Sequence, residues 1–263
     1  FMGGVGRQLC EEAGCSWMDL SGNGNIGVSG LRVRVDGQPN KFKRRGRPAS
    51  VFAPKSSRVA RWLLMHPGLA PTQRELARST GVDDGHLTRI ISRMVSERLV
   101  ARDDGGGLLV PDPALLLDAW QESYSFSRHE FLRGHVPART GEELVRQLSK
   151  GLDERNAEFA VTGLGAAWFM TGFATFRLAT VYLQDWPSAE LLSELSFREE
   201  ERGANTWFVL PKDEGVFQGA KGWQGVRCVH PVQVFLDLQE HPERSAEAAA
   251  HLKTELLSLR TNG

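Results

Sequence analysis

Apolar residues in the first half of the chain recur at helical spacing. Between Asp83 and Leu99 they fall three or four residues apart, which predicts one buried stripe along a helix. The stripe consists of Leu87, Ile90, Ile91, Met94, Val95 and Leu99. The opposite face carries His86, Thr88, Arg89, Ser92 and Arg93. Because hydroxyl and guanidinium groups can reach phosphate oxygens and base edges, this pattern predicts a helix that contacts DNA in a major groove.

The residues before this helix predict two more helices. The apolar spacing from Ser56 to His66 is typical of a first helix. Thr72 and Glu75 have the spacing of a capping box, which predicts the start of a second, short helix. Gly81 then allows the tight turn that a helix-turn-helix needs.

A glycine hairpin follows the predicted DNA-contacting helix. Residues 99–102 and 108–110 have strand character, and they flank the turn-forming sequence Asp-Asp-Gly-Gly-Gly. A strand, turn and strand in this place predict the wing of a winged helix-turn-helix, which we assign to residues 49–112. Arg102 in the wing is a further candidate for DNA contact.

The sequence before the winged helix contains a basic run. Its candidate DNA-contacting residues are Lys43, Arg44, Arg45 and Arg47. Next to a DNA-binding module, such a run favours an arm along the phosphate backbone or in the minor groove. A solvated linker without specific contacts is the alternative.

The N-terminal segment, residues 1–48 with the basic linker, has strand patterns at 16–20 and 31–35. The glycine-rich sequence 21–27 between them is predicted to be a hairpin connection. It contains G-x-G-x-x-G, but the following strand disfavours dinucleotide binding, because that fingerprint must open a helix. Asp19 on the first strand is typical of restriction-endonuclease-like folds. Because the next strand lacks the second acid and the lysine of such nucleases, we predict a degenerate remnant and no active nuclease.

The back half, residues 113–263, alternates helix and strand patterns. Helices are predicted at 114–126, 140–155, 188–195, from 232 onward and at 243–259, and strands at 179–183 and 206–210. This alternation predicts a C-terminal α/β domain, so the whole chain is assigned to a multi-domain α+β class.

Charge and composition refine this picture. Up to Val110 the chain has 17 Lys and Arg against 10 Asp and Glu, and after it 15 against 22. A basic front half favours polyanion contact, and an acidic back half indicates a different task. The three cysteines form no C-x-x-C pair, which favours a reducing, cytoplasmic location. No apolar run is long enough for a membrane span, so no membrane partner is expected.

Catalytic motifs are missing from the sequence. It has no G-x-S-x-G, no H-E-x-x-H and no phosphate loop ending in Gly-Lys-Ser/Thr. Asp185, Asp213 and Asp237 could approach one another, but three isolated acids are a weak metal signal. We therefore expect no enzyme activity, no catalytic residues, no metal and no cofactor.

Several short segments of the sequence resemble the AbiEi-like antitoxins of type IV abortive-infection toxin–antitoxin systems. They are Trp17–Asn23, Val161–Ala167, Val229–Leu238, Pro242–Arg244 and Glu247–Ala249. The resemblance implies a winged helix that binds operator DNA and represses its own operon. It also implies a C-terminal domain that counters a nucleotidyltransferase-type toxin, with a stand-alone regulator as a variant.

The expected function is therefore that of a DNA-binding transcriptional regulator of antitoxin type. Its partners would be double-stranded DNA and such a toxin, and a homodimer is expected because a short half-site gives one copy little affinity. Two alternatives stay open from the residues alone. One is a metal-dependent nuclease with a winged-helix targeting module, and the other is a protein-interaction module.

Overall fold

The computed structural model of the chain describes residues 2–39 and 50–257. Backbone contacts divide this part of the chain into two compact units. The first unit holds residues 2–39, 50–60 and 67–123, and the second holds 61–66 and 124–257. The predicted mixture of N-terminal strands, a helix-turn-helix and a C-terminal α/β region is confirmed. The domain boundaries at residues 48 and 112 and the nuclease-like ancestry of the N-terminal segment stay predictions.

The first unit contains five helices and five strands among the described residues. They are α1 (Gly4–Glu12), β1 (Trp17–Met18), β2 (Gly24–Val28), β3 (Leu31–Val35), α2 (Pro54–Met65, which continues into the second unit), α3 (Gln73–Thr80), α4 (Asp84–Ser96), β4 (Ala101–Arg102), β5 (Leu108–Leu109) and α5 (Pro113–Ser123).

A small antiparallel sheet in the order β1-β2-β3 forms the N-terminal part. The prediction that residues 21–27 are only a hairpin connection was wrong, because β2 begins at Gly24. The chain reverses earlier, where the Asp19 carboxylate accepts hydrogen bonds from the backbone N–H groups of Ser21 and Asn23. Gly30, at φ 79°, forms the second reversal between β2 and β3. Because Gly24 and Gly27 are typical of turns, β2 shows no strand pattern in the sequence.

The three helices of the helix-turn-helix begin and end at local signals. The predicted capping box is present at Thr72 and Glu75, which fixes the start of α3. Gly81 ends α3 in the left-handed region, at φ 65°, where glycine carries no steric penalty. Asp83 then accepts a hydrogen bond from the backbone N–H of His86 at 2.8 Å and so caps α4.

The buried stripe of α4 agrees with its pattern except at Val95. Leu87, Ile90, Ile91 and Met94 are buried in the helix, and Leu99 is buried just after it. Val95 was predicted to be buried but is 38% exposed. It lies seven residues, or about two helical turns, after the exposed Thr88, on the solvent side of the stripe.

The second unit is built around one sheet. Its elements after α2 are β6 (Glu130–His135), α6 (Gly141–Asp153), β7 (Phe159–Thr162), α7 (Gly163–Thr171), β8 (Ala179–Leu183), α8 (Ala189–Glu194), β9 (Arg198–Glu199), β10 (Thr206–Leu210), β11 (Lys221–Trp223), β12 (Val226–Cys228), α9 (Pro231–Leu238) and α10 (Ser245–Leu256), with 3-10 turns at Phe126–Arg128 and Glu214–Phe217.

The strand order of this sheet is β11-β12-β7-β8-β10-β6-β9. The pairs β12–β7 and β8–β10 are parallel, and the other four pairs are antiparallel. Every residue of β7 and β8 is buried, because these central strands are covered on both faces.

The helices and strands predicted at 140–155, 179–183, 188–195 and 206–210 are confirmed as α6, β8, α8 and β10. The terminal helix is shorter than predicted and ends at Leu256. Five strands, β6, β7, β9, β11 and β12, were not predicted. Several of them are only two to four residues long, so they contain too few positions to show a period of two.

Candidate nucleic-acid interface

The solvent side of α4 carries the strongest candidates for DNA contact. Thr88, Arg89 and Ser92 are all exposed and lie on the side opposite the buried stripe. The Arg89 Nε donates a hydrogen bond to the carbonyl of Gly85 at 3.2 Å, which keeps the side chain along the helix. No acidic side chain in the described part of the chain forms an ion pair with Arg89. Its positive charge is therefore available to an anionic partner.

A chain of hydrogen bonds links α3, α4 and the wing. The Gln73 Nε2 donates to the hydroxyl of Thr88 at 2.6 Å, and the Arg102 Nη2 donates to the Gln73 Oε1 at 3.4 Å. Thr88 in turn donates to the carbonyl of Asp84 at 2.8 Å. Gln73 thus connects two of the predicted contact residues.

Gln73 was not among the residues predicted from the sequence. It follows the N-cap of α3 directly, where a side chain lies at the end of the helix rather than along its buried face. Its position inside the capping box, directly after Thr72, was the available signal. The partner Thr88, fifteen residues away, could not be inferred from spacing.

His86 and Arg93 occupy the margins of this face. His86 is half-buried, and its Nε2 lies 3.1 Å from the hydroxyl of Ser56 in α2. Arg93 is half-buried and donates from Nε to the Glu97 carboxylate at 2.9 Å, an ion pair one turn apart. Both side chains therefore already have protein partners, and they are weaker candidates than Arg89.

The wing is held in shape by Asp103. Its carboxylate accepts a hydrogen bond from the N–H of Gly107 at 2.6 Å, which closes the turn between β4 and β5. The N–H of Leu108 donates to the carbonyl of Pro71 at 2.9 Å and ties the wing to the start of α3. Arg102 is exposed next to this turn. The basic candidates Lys43, Arg44, Arg45 and Arg47 lie outside the described residues.

The N-terminal Asp19 has a structural task. Its carboxylate accepts hydrogen bonds from the N–H of Met2 and from the amide side chain of Asn23, besides the two turn contacts described above. Burial alone would raise the pKa of Asp19, but these hydrogen bonds outweigh it and hold the pKa well below its ordinary value. In a nuclease this carboxylate would bind a metal ion, whereas here its hydrogen bonds stabilise a turn.

The second unit contains a buried polar cluster around Asp237 of α9. The Asp237 carboxylate accepts hydrogen bonds from Thr162 at 2.5 Å, Gln233 at 2.7 Å, Tyr124 at 2.5 Å and Tyr182 at 3.1 Å. Asp237 itself is 0% exposed. Burial raises its pKa to about 6, and the four hydrogen bonds partly oppose that rise.

Two of the segments that resemble the AbiEi-like antitoxins meet in this cluster. Thr162 lies in the segment Val161–Ala167, and Gln233 and Asp237 lie in the segment Val229–Leu238. The Gln233 Oε1 also accepts a hydrogen bond from Arg61, which groups with this unit. Because the Asp237 carboxylate accepts four hydrogen bonds inside the core, the cluster specifies how α9 packs on β7 rather than forming an open site.

Neither a metal site nor a membrane span is evident in the described chain. Asp213 caps a 3-10 turn through the N–H of Gly215, and Asp185 is exposed, so the three acids have separate surroundings. Within residues 2–39 and 50–257, no group of three His, Cys, Asp or Glu side chains could hold a metal ion. No helix among these residues is long and apolar enough to cross a bilayer.

The fold and this surface define a winged-helix DNA-binding regulator, and comparison with known families agrees. Residues 57–119 match the model of the Crp-like helix-turn-helix domain. Residues 109–258 match the model described as transcriptional regulator, AbiEi antitoxin, type IV toxin–antitoxin system. Since this second match covers more than half of the chain, the protein belongs to the AbiEi antitoxin family. No curated protein and no solved structure matches it significantly.

The family membership confirms the expected function. The protein is a DNA-binding transcriptional regulator of antitoxin type, and its family implies a toxin as partner. The description of the family names a regulatory role.

Proposed function

We propose that the solvent side of α4 contacts the operator of the protein's own promoter and so represses its operon. In this proposal Thr88, Arg89 and Ser92 meet base edges in the major groove, and Arg102 of the wing meets the phosphate backbone. The observation that supports it most is the exposure of all three α4 side chains on one side, with Arg89 in no ion pair among the described residues.

The remaining candidates have supporting parts in this proposal. Gln73 holds Thr88 and Arg102 in register through its two hydrogen bonds. His86 and Arg93 contact phosphates at the edge of the groove, where their protein partners leave part of each side chain accessible. The basic run with Lys43, Arg44, Arg45 and Arg47 follows the phosphate backbone beside the winged helix.

The second unit, in this proposal, counters a toxin of nucleotidyltransferase type. The resemblance described above and the family match support this assignment. We place the protein in the cytoplasm, where its operon is transcribed, and we assign no enzymatic step to it. It binds DNA as a homodimer, since two short half-sites give more affinity than one.

The DNA-binding proposal is tested by titrating the full-length protein against its promoter duplex and a scrambled duplex of equal length. The promoter should bind about 1000-fold or more tightly at physiological salt, and both affinities should fall as salt rises because phosphate contacts release counterions. Equal affinity for the two duplexes would exclude a sequence-specific operator.

The toxin proposal needs a separate readout. Co-expression with the nucleotidyltransferase gene of the same operon should restore growth, and the variant Arg89→Ala should restore it equally while repression of a promoter reporter is lost. If Arg89→Ala abolishes both growth rescue and repression while the protein level stays normal, the two tasks do not reside in different units.

A further inference from the structure

The N-terminal sheet has two very different faces. One face is covered: Trp17 is buried with the Arg7 guanidinium over its ring at 5.4 Å, and Asn25 donates a hydrogen bond to Glu11 of α1. The strand register puts Trp17 opposite Asn25, and Asn25 opposite Arg34. This polar, partly buried face therefore packs against the first helix.

The other face is apolar and open to solvent. Ile26 is paired with Val33, and Val28 with Leu31, so their side chains are neighbours across the two strands. Its six large apolar side chains are between 36% and 71% exposed: Met18, Ile26, Val28, Leu31, Val33 and Val35. Together they expose roughly 600 Å², which is the size of the largest apolar patch on an ordinary monomer. We call these six residues the apolar sheet face.

The chemistry of this face limits the kinds of partner that could cover it. It carries no charged side chain, because Arg32 and Arg34 of β3 lie on the opposite face. A neutral apolar strip gives no attraction for DNA. The sequence that follows the sheet is not apolar, since residues 40–49 contain five Lys and Arg and only Phe42 as a large apolar side chain.

We infer that the apolar sheet face packs on the same face of a second copy of this chain. Two copies related by a two-fold axis bring identical strips together, and an uncharged strip is complementary to itself. Complete burial of both strips would remove at most about 1,200 Å² from solvent, which is the lower limit of specific interfaces and more than most crystal contacts bury. The inference deepens the proposed function, since it names the surface of the proposed homodimer.

One way of pairing the two sheets through their β3 edges is disfavoured. β3 is an edge strand, and antiparallel pairing of two β3 strands about Val33 would place Arg32 of one copy opposite Arg34 of the other. Like charges directly opposite each other destabilise a strand pair. The arginines thus favour face-to-face packing over this edge-to-edge pairing.

Sedimentation velocity on the full-length protein without DNA tests this inference. The wild type should sediment as a dimer at micromolar concentration, and the variant Val28→Lys/Val33→Lys should raise the dimer dissociation constant about 100-fold or more, because four ammonium groups would meet in one interface. Leu69→Lys is the matched control, since Leu69 is a 56% exposed apolar residue elsewhere in the first unit. It should leave the dissociation constant unchanged.

Two results would overturn the inference: a wild type that stays monomeric up to about 100 µM, or a double-lysine variant that dimerises as the wild type does. The milder variant Val28→Ser/Leu31→Ser should also weaken the dimer, and circular dichroism checks that every variant is folded. Because no DNA is present, this experiment can fail while operator binding by α4 stands, and the reverse.

Discussion

The solvent side of α4 and the cluster around Asp237 use polar side chains in opposite ways. On α4, Thr88, Arg89 and Ser92 are exposed, and their remaining hydrogen-bonding capacity faces solvent. In the second unit, Asp237 accepts four hydrogen bonds and has no contact with solvent. Polar groups left accessible can bind a partner, whereas polar groups satisfied in a core fix one packing arrangement. This difference agrees with the proposed recognition by α4 and with a structural role for the cluster.

The largest effect should come from removing the carboxylate of the buried cluster. Asp237→Ala would leave the donors of Thr162, Gln233 and two tyrosines without their acceptor, and it would open a cavity. The free energy of unfolding should fall by about 3–5 kcal/mol. Urea titration followed by tryptophan fluorescence measures this, with the exposed Asp185→Ala as control at less than about 0.5 kcal/mol. Similar losses of unfolding free energy for both variants would mean that the buried cluster contributes no more to stability than an exposed carboxylate does.

The stability of the second unit should also depend on pH. Burial lowers the pKa values of His129, His230 and His241 to about 4 and raises that of Asp237 to about 6. At pH 5 the unfolded chain therefore binds three more protons at these histidines, and one fewer at Asp237, than the folded chain. The unfolded state holds about two extra protons, so stability should fall by about 2–3 kcal/mol per unit as pH drops through 5.

Urea midpoints between pH 4 and 7.5 check this dependence. The unfolded histidines are still half protonated at pH 6.5, and only near pH 7.5 are the histidines neutral in both states, where their contribution should become constant. A midpoint that rises as pH falls from 6.5 to 4 would show that Asp237, rather than the three histidines, dominates the titration.

A smaller effect is expected at the junction of α3, α4 and the wing. Gln73→Ala removes the hydrogen bonds to Thr88 and Arg102 without touching the buried stripe, so it should weaken promoter binding by about 0.5–1.5 kcal/mol. Fluorescence anisotropy with the labelled promoter duplex measures the change. The exposed Gln184→Ala in the second unit is a matched control. Equal affinities of the two variants would remove Gln73 from the interface.

The smallest effect should be at Arg93. Because Glu97 already pairs with its guanidinium, Arg93→Ala should lower promoter affinity by less than about 1 kcal/mol. The same anisotropy titration applies. A loss of promoter affinity larger than that of Arg89→Ala would show that Arg93 breaks its ion pair with Glu97 and contacts the DNA. Arg93 would then rank above Arg89 as a DNA-contacting residue.

Local signals explain how much of this could be predicted from the sequence. The capping box at Thr72, the N-cap Asp83 and the glycine hairpin all act over a few residues, so the winged helix and its outward side chains were predictable. Gln73 was missed because its partner Thr88 belongs to another helix. The ion pair of Arg93 with Glu97 follows helical spacing and could have been recognised.

Long-range contacts explain what was missed. Strand β7 and its neighbours exist because they pair with distant strands, and strands as short as these show no period of their own. The Asp237 cluster joins residues as far apart in sequence as Tyr124 and Asp237. The sequence segments that contain Thr162 and Asp237 indicated a family. Only the packing of α9 against β7 showed that the side chains of these two residues form a hydrogen bond.

The central claim is that α4 recognises the operator through Arg89, and the affinity of Arg89→Ala for the promoter duplex tests it most directly. Relative to the wild type, this variant should lose about 1–3 kcal/mol for the promoter and much less for a scrambled duplex. Its urea midpoint should be unchanged, and the exposed Arg202→Ala in the second unit should bind both duplexes as the wild type does. If Arg89→Ala retains wild-type affinity and specificity for the promoter, α4 is not the recognition helix.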